Sequence, residues 1–156
     1  MTAADQELQR NIRAGLFGSI AELADIDYQR ATWLDPEMQN PHYGYVEFVE
    51  CFYDSSGGSY DETDPTAVHA PLRHWIETKV LSQVEADSIW PLHLALKACR
   101  PKDPYALDVI LDDAAWQVVV ATAYKAKEGL IPIVKSPEEL GYFENCLPDA
   151  TGKRWP

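Results

Sequence analysis

The sequence lacks an apolar run of the roughly 20 residues needed to cross a bilayer. Its first residues also lack the basic and apolar regions that mark a secretory signal. The three cysteines, Cys51, Cys99 and Cys146, form neither a CxxC pair nor an even set for disulfides. These absences predict a cytoplasmic protein without membrane contact, in which each cysteine is a small core residue.

Signatures of nucleotide and serine-nucleophile sites are also missing. Gly57-Gly58 fits neither GxxxxGK[ST] nor GxGxxG, and no serine lies in a GxSxG turn. His69 and His74 are five residues apart, whereas a helical metal pair needs four. His42 and His93 have no ligand-like neighbours. We therefore predict neither a metal site nor a cofactor, although an enzyme without a named motif stays open.

Basic side chains are scarce in the first 64 residues, which hold 13 Asp and Glu but only Arg10, Arg13 and Arg30. Their net charge is −10, whereas residues 65–156, with 12 acids and 10 bases, have a net charge of only −2. Binding to nucleic acids or anionic membranes needs clustered Lys and Arg, so the asymmetry argues against both. It favours a basic protein partner that is attracted by the opposite charge.

Helix signals begin at the start of the acidic half. A first helix is predicted over residues 5–14, with Leu8 and Ile12 on one face and Gly15 as its stop. A second is predicted over residues 19–34, because a Ser-x-x-Glu capping box opens it.

The third predicted helix begins at Pro41, capped by Asn40, because proline is favoured at the first helical position. Its spacing separates an apolar face from an acidic one. The predicted core face comprises Tyr45, Phe48, Val49 and Phe52.

The near-neutral half predicts further helices. Residues 82–99 begin with another Ser-x-x-Glu capping box and contain Pro91, where a kink is expected. Residues 114–129 predict a long helix, residues 130–135 an extended segment, and residues 136–145 a short last helix. The whole chain, 1–156, is predicted to form one all-α domain, an irregular bundle of about six to eight short helices.

The densest acidic stretch runs from the third helix into the following loop. A calcium loop is excluded, because the twelfth position counted from Asp54 is Pro65 rather than glutamate. A solvated helix face, a carboxylate acid/base pair and a partner-binding surface stay open. Nearby tyrosines favour the binding surface, since tyrosine is a common interface anchor. The predicted partner-binding residues are Glu47, Glu50, Asp54, Asp61, Glu62, Asp64, Tyr43, Tyr53 and Tyr60.

The segment TWLDPEMQNPHYGYVEFVECFYD, residues 32–54, resembles small acidic proteins encoded by bacteria. In size and charge the chain is also similar to the immunity proteins that neutralise bacterial toxins. The resemblance implies an inhibitor that presents these carboxylates and tyrosines to a basic partner, such as a nuclease toxin. Two other interpretations stay open: a helical enzyme or ligand-binding domain that pairs His42 or His93 with a carboxylate, and a structural subunit of a homo-oligomer.

Overall fold

The computed structural model describes residues 2–35, 44–57 and 72–144, which contain eight α-helices and no strand. This confirms the predicted all-α class. The helices are α1 (Ala3–Leu23), α2 (Ile26–Trp33), α3 (Tyr45–Ser56), α4 (Arg73–Glu77), α5 (Gln83–Ala98), α6 (Leu107–Asp112), α7 (Ala114–Leu130) and α8 (Pro137–Gly141).

Helix α1 runs without interruption through Gly15, so the predicted stop there and the predicted new start at Ser19 are wrong. A glycine costs a helix roughly 1 kcal/mol, and burial of the side chains that follow it outweighs this. A Cβ at Gly15 would lie 2.8 Å from the Oγ of Ser55, so the glycine allows α1 to approach α3 closely. The fully buried residues of α1 that follow Gly15 are Leu16, Phe17, Ile20 and Leu23.

The first break comes at Asp25, whose side chain caps α2. Gln29 of α2 is completely buried, and its amide is fully used. Its Nε2 donates to the carbonyls of Glu22 and Leu23 at 2.9 and 3.1 Å, where α1 ends. Its Oε1 accepts from the indole Nε1 of Trp116 at 2.8 Å. One side chain therefore ties α1, α2 and α7 together.

The second half follows its capping signals closely. The capping box predicted at the start of α5 is present, and α5 continues through Pro91. The extended segment predicted over residues 130–135 is wrong, because α7 reaches Leu130 and a turn follows. The backbone N–H groups of Ile133 and Val134 donate to the Leu130 carbonyl at 3.0 and 2.9 Å, which closes that turn.

Helix α1 packs on both α3 and α7, and α5 covers α7. The buried apolar side chains form one continuous core. An aromatic cluster lies where α2, α3 and α7 meet: the ring of Trp33 is 5.2 Å from Phe48 and 5.4 Å from Trp116, and Trp116 is 5.5 Å from Tyr45. This cluster fixes the inner face of α3 and therefore determines which α3 side chains face outward.

Candidate functional site

Helix α3 begins at Tyr45, four residues after the predicted start. Gly44 precedes it in a non-helical conformation, and Asn40 and Pro41 lie outside the described residues. Gly57 ends the helix with φ of 76°, a left-handed conformation that favours glycine. The predicted core face is confirmed, since Tyr45, Phe48, Val49 and Phe52 are all buried.

The other face of α3 carries Glu47, Glu50 and Asp54, which we call the α3 carboxylates. Glu50 and Asp54 are exposed, whereas Glu47 is half-buried. The Oε2 of Glu47 accepts a 2.8 Å hydrogen bond from the backbone N–H of Gly44, so this side chain caps its own helix. None of the three forms an ion pair with a base in the described parts of the chain. Glu50 and Asp54 are therefore the acids that α3 presents to solvent.

Tyr53 does not belong to this surface, contrary to prediction. Its side chain is only 2% exposed, and its hydroxyl forms a 2.9 Å hydrogen bond with Nδ1 of His93. The remaining predicted partner-binding residues lie outside the described residues. These are Tyr43, Tyr60, Asp61, Glu62 and Asp64.

The buried histidine bears on the enzyme interpretation. His93 is bonded to the hydroxyl of Tyr53, not to a carboxylate, and its ring packs 4.9 Å from that of Trp90. Burial lowers the pKa of His93, and the positive charge of Lys97 lowers it further. His93 is therefore neutral at pH 7 and acts as a core hydrogen-bonding group. His42, the other candidate, lies outside the described residues.

Arg13 on α1 is held by groups far along the chain. Its Nε donates to Glu139 at 2.6 Å, its Nη2 to Glu85 at 2.7 Å, and its Nη1 to the carbonyl of Val80 at 2.9 Å. Two further bonds of 3.0 Å complete both bidentate pairs and use the remaining donors. Burial opposes the charge on Arg13, but the two carboxylates raise its pKa above the usual value. Burial likewise raises the pKa of Glu85, and hydrogen bonds from Arg13 and Ser82 more than reverse this, so it lies below the usual value.

The other two bases of the acidic half also face the second half. Arg30 lies 3.4 Å from Asp112 in an exposed ion pair. Burial and Glu138 raise the pKa of Tyr142, and the positive charge of Arg10 lowers it in part. Arg13 and Arg30 are therefore bonded to acids of the second half. This arrangement leaves the α3 carboxylates without a compensating charge from their own half.

The cysteines and the possible metal ligands among the described residues do not form a reactive site. Cys99 is buried, and burial together with the charge of Asp113 raises the pKa of its thiol to about 11, so it is a core residue as predicted. Cys51 is half-buried, and Cys146 lies outside the described residues. Within residues 2–35, 44–57 and 72–144, no three His, Cys, Asp or Glu side chains are placed to share a metal ion. No helix in these ranges combines the length and apolar character needed to span a membrane.

Two surface grooves flank α4, and the sequence analysis missed both. The groove between α1 and α4, which we call the α1–α4 groove, has a volume of about 390 Å³. Its lining residues are Asp5, Leu8, Gln9, Ile12, His74, Trp75, Thr78 and Val80. The groove between α4 and α5 has about 470 Å³ and a more polar lining that includes Arg73, Glu77 and Asp87.

One signal could have revealed the first groove. The sequence places Leu8 and Ile12 on one face of the first helix, where Leu8 is 59% exposed and Ile12 is half-buried. The buried run of α1 begins only at Leu16. An apolar pair one turn away from the core-facing run of its helix is a candidate surface patch.

No protein-family model, curated protein or solved structure matches the chain.

Proposed function

We propose that the protein is a bacterial cytoplasmic binding protein of immunity or inhibitor type, which neutralises a basic protein partner such as a nuclease toxin. The observation that carries the proposal is the uncompensated acidic face of α3. Glu50 and Asp54 are exposed without an ion pair among the described bases, while Arg13 and Arg30 are bound to acids of the second half. Glu50 and Asp54 thus keep their charge available to a partner.

The spacing of these acids supports a binding role. Glu50 and Asp54 are four residues apart, which places them about 6 Å apart along the helix axis, on one face. Two carboxylates at this spacing repel each other, and the pair destabilises an isolated helix by a few tenths of a kcal/mol. A bound Lys or Arg relieves the repulsion.

Long-range attraction is expected to act mainly on the association rate. The Debye length is about 8 Å at physiological ionic strength, so the field of the α3 carboxylates extends beyond contact distance and weakens with salt. Electrostatic steering raises association rates by about tenfold or more at low salt. We therefore expect fast association with a basic surface, at a rate that falls as the salt concentration rises.

The test compares two double charge reversals with the same change in net charge. Glu50→Lys with Asp54→Lys alters the proposed surface, and Asp108→Lys with Glu128→Lys alters exposed acids on α6 and α7. Glu47 is left unchanged, because its carboxylate caps Gly44. Each immobilised variant captures proteins from a lysate of the source organism at low salt, and association rates are then measured with the purified partner.

The expected result is a basic partner that the wild type and the α6–α7 control bind alike. The α3 variant should bind it at least about tenfold more slowly at low salt, with unchanged circular dichroism. Co-expression should also suppress any toxicity of the captured protein. Equal association rates for the two double variants would contradict the proposal, as would a partner that is itself acidic.

A further inference from the structure

The α1–α4 groove is an apolar depression in the surface of an acidic protein. Leu8 and Ile12 form one side, and Trp75 and Val80 form the other. Its volume of about 390 Å³ is at the lower end of the range for small-ligand pockets, and it is large enough to accept one aromatic or branched side chain. Asp5 is the acidic residue among those that line the groove, and its Oδ2 also accepts hydrogen bonds from the backbone N–H and the hydroxyl of Thr2.

Trp75 connects this groove to α3. Its indole Nε1 donates a 2.9 Å hydrogen bond to the carbonyl of Ser55, the residue after Asp54. The same ring covers Gly57, where an added Cβ would lie 3.0 Å from Nε1. The last turn of α3, with Asp54 on it, therefore adjoins one wall of the groove.

The backbone around α4 is strained on both sides. Leu72 and Lys79 adopt φ values of 75° and 63°, which residues other than glycine seldom adopt. The strained ends are held by backbone bonds, from Leu72 N to the Ser56 carbonyl at 2.7 Å and from Val80 N to the Trp75 carbonyl at 2.8 Å. Strain of this kind is concentrated at binding and switch regions. Here it fixes the position of Trp75 against α3 and beside the groove.

We propose that the α1–α4 groove takes an apolar side chain of the basic partner, one flanked by Lys or Arg that contact Asp54 and Asp5. This inference rests on the proposed function and adds the anchor to it. The α3 carboxylates attract the partner, and the groove determines how long it stays bound, because energetically dominant contacts lie in water-excluding pockets.

A second copy of the chain is the less suitable occupant. Each copy carries a net charge of −12, so two copies repel each other. A basic segment with a central apolar side chain suits both features, because its cations can contact Asp5 and Asp54 and its apolar side chain can pack on the apolar lining of the groove. The groove therefore fits the same partner that the α3 carboxylates attract.

The test uses two lysine-rich synthetic peptides that differ only in their central residue, phenylalanine or serine. Binding to the ¹⁵N-labelled protein is followed at low salt through the amide resonances of Leu8 and Ile12 and the indole resonance of Trp75. Leu8→Ser alters the groove at an exposed position. Val109→Ser is the matched control, because Val109 is 62% exposed and lies on α6, outside the groove. Glu50→Gln with Asp54→Asn removes the attracting charges.

The phenylalanine peptide is expected to bind about tenfold more tightly than the serine peptide, which corresponds to burial of about half of the ring. Leu8→Ser should remove most of that preference, and Val109→Ser should leave it. Removing the two carboxylates should weaken both peptides to a similar degree.

The contrary outcomes separate this inference from the proposed function. If both peptides bind equally and each is weakened by loss of the carboxylates, the proposed role of the groove is overturned, while the proposed role of the acidic surface stands. A phenylalanine preference that survives Leu8→Ser would also overturn the groove. Peptide binding that ignores Glu50 and Asp54 would contradict the proposed function, and no binding by either peptide would contradict both. A dimer in light scattering that Leu8→Ser dissociates would assign the groove to a second copy instead.

Discussion

Replacing Arg13 by methionine should destabilise the protein strongly. The substitution keeps an unbranched apolar side chain but leaves Glu85 and Glu139 without their cation, with side chains only 9% and 12% exposed. Removing one partner of a buried ion pair typically costs about 3–5 kcal/mol. Because the Arg13 side chain is 18% exposed, water can reach the site, and we expect about 3 kcal/mol, near the lower limit. For a chain of this size that lowers Tm by about 6–12 °C.

The loss should depend on pH in a defined direction. Although burial raises the pKa of Glu85, hydrogen bonds from Arg13 and Ser82 bring it below its ordinary value of 4.5 in the folded state. A lowered carboxyl pKa stabilises the fold above the unfolded pKa, and that contribution is lost as pH falls through the folded pKa. Without Arg13, the hydrogen bonds from Ser82 remain, but the loss of the hydrogen bonds and charge of Arg13 lets burial raise the pKa of Glu85 and favour its protonated form. The free-energy gap between wild type and variant should therefore be largest near pH 7 and narrow toward pH 4.

Urea unfolding followed by circular dichroism at pH 7 and pH 4 measures both effects. Arg30→Met is the control, because the exposed Arg30–Asp112 pair at 3.4 Å should contribute less than about 0.5 kcal/mol. The reasoning is refuted if Arg13→Met costs less than about 1 kcal/mol, or no more than the control. It is also refuted if the loss is the same at both pH values.

Two further predictions concern packing and buried polarity. Gly18→Ala should raise the free energy of unfolding by up to about 1 kcal/mol, because a Cβ there meets nothing within 4 Å. Gly15→Ala should raise stability in thermal unfolding by less, since its Cβ would lie 2.8 Å from the Oγ of Ser55. Adding Ser55→Ala should recover the difference, and equal increases in stability at the two glycines would contradict this. Gln29→Met should lower stability by about 2–4 kcal/mol in urea, because it leaves the Trp116 indole and the Leu23 carbonyl without a partner in the core, whereas the Glu22 carbonyl keeps the N–H of Asp25. A loss under about 1 kcal/mol would show that these groups find other partners.

Much of the fold could be predicted because many of its signals are local. The capping box that opens α5 acts over three residues, and the buried face of α3 is set by helical spacing alone. The same spacing correctly separates Glu50 and Asp54 from the core. Short-range rules therefore recovered the helical class and the two exposed acids of α3.

The errors arose where packing overrides local preference. Gly15 signals a helix end by propensity, but the burial that begins at Leu16 holds α1 together. The β-branched residues after Leu130 indicate a strand, yet this segment has no neighbouring strand among the described residues and closes a helix with a turn.

The site was harder to predict because its contacts are distant in sequence. Tyr53 looked like an interface residue, but it is buried and its hydroxyl bonds to His93, 40 residues further on. The partners of Arg13 lie 72 and 126 residues away, at Glu85 and Glu139. No periodicity or spacing rule acts over such separations. The sequence alone therefore could not show that Arg13 is paired with distant acids, nor that Glu50 and Asp54 lack such a base.

The arginine that joins α1 to Glu139 has a consequence for synthesis in the cell. Ribosomes add about 5–20 residues per second, so Glu139 is made about 6–25 s after Arg13, 126 residues earlier. Val80 and Glu85 are made earlier in that interval, so Glu139 completes the set of groups that hold Arg13. In a nascent or truncated chain that ends before α8, Arg13 therefore lacks its bonds to Glu139, and α1 is held less firmly. The contacts that hold α1 are therefore completed only when α8 has been made.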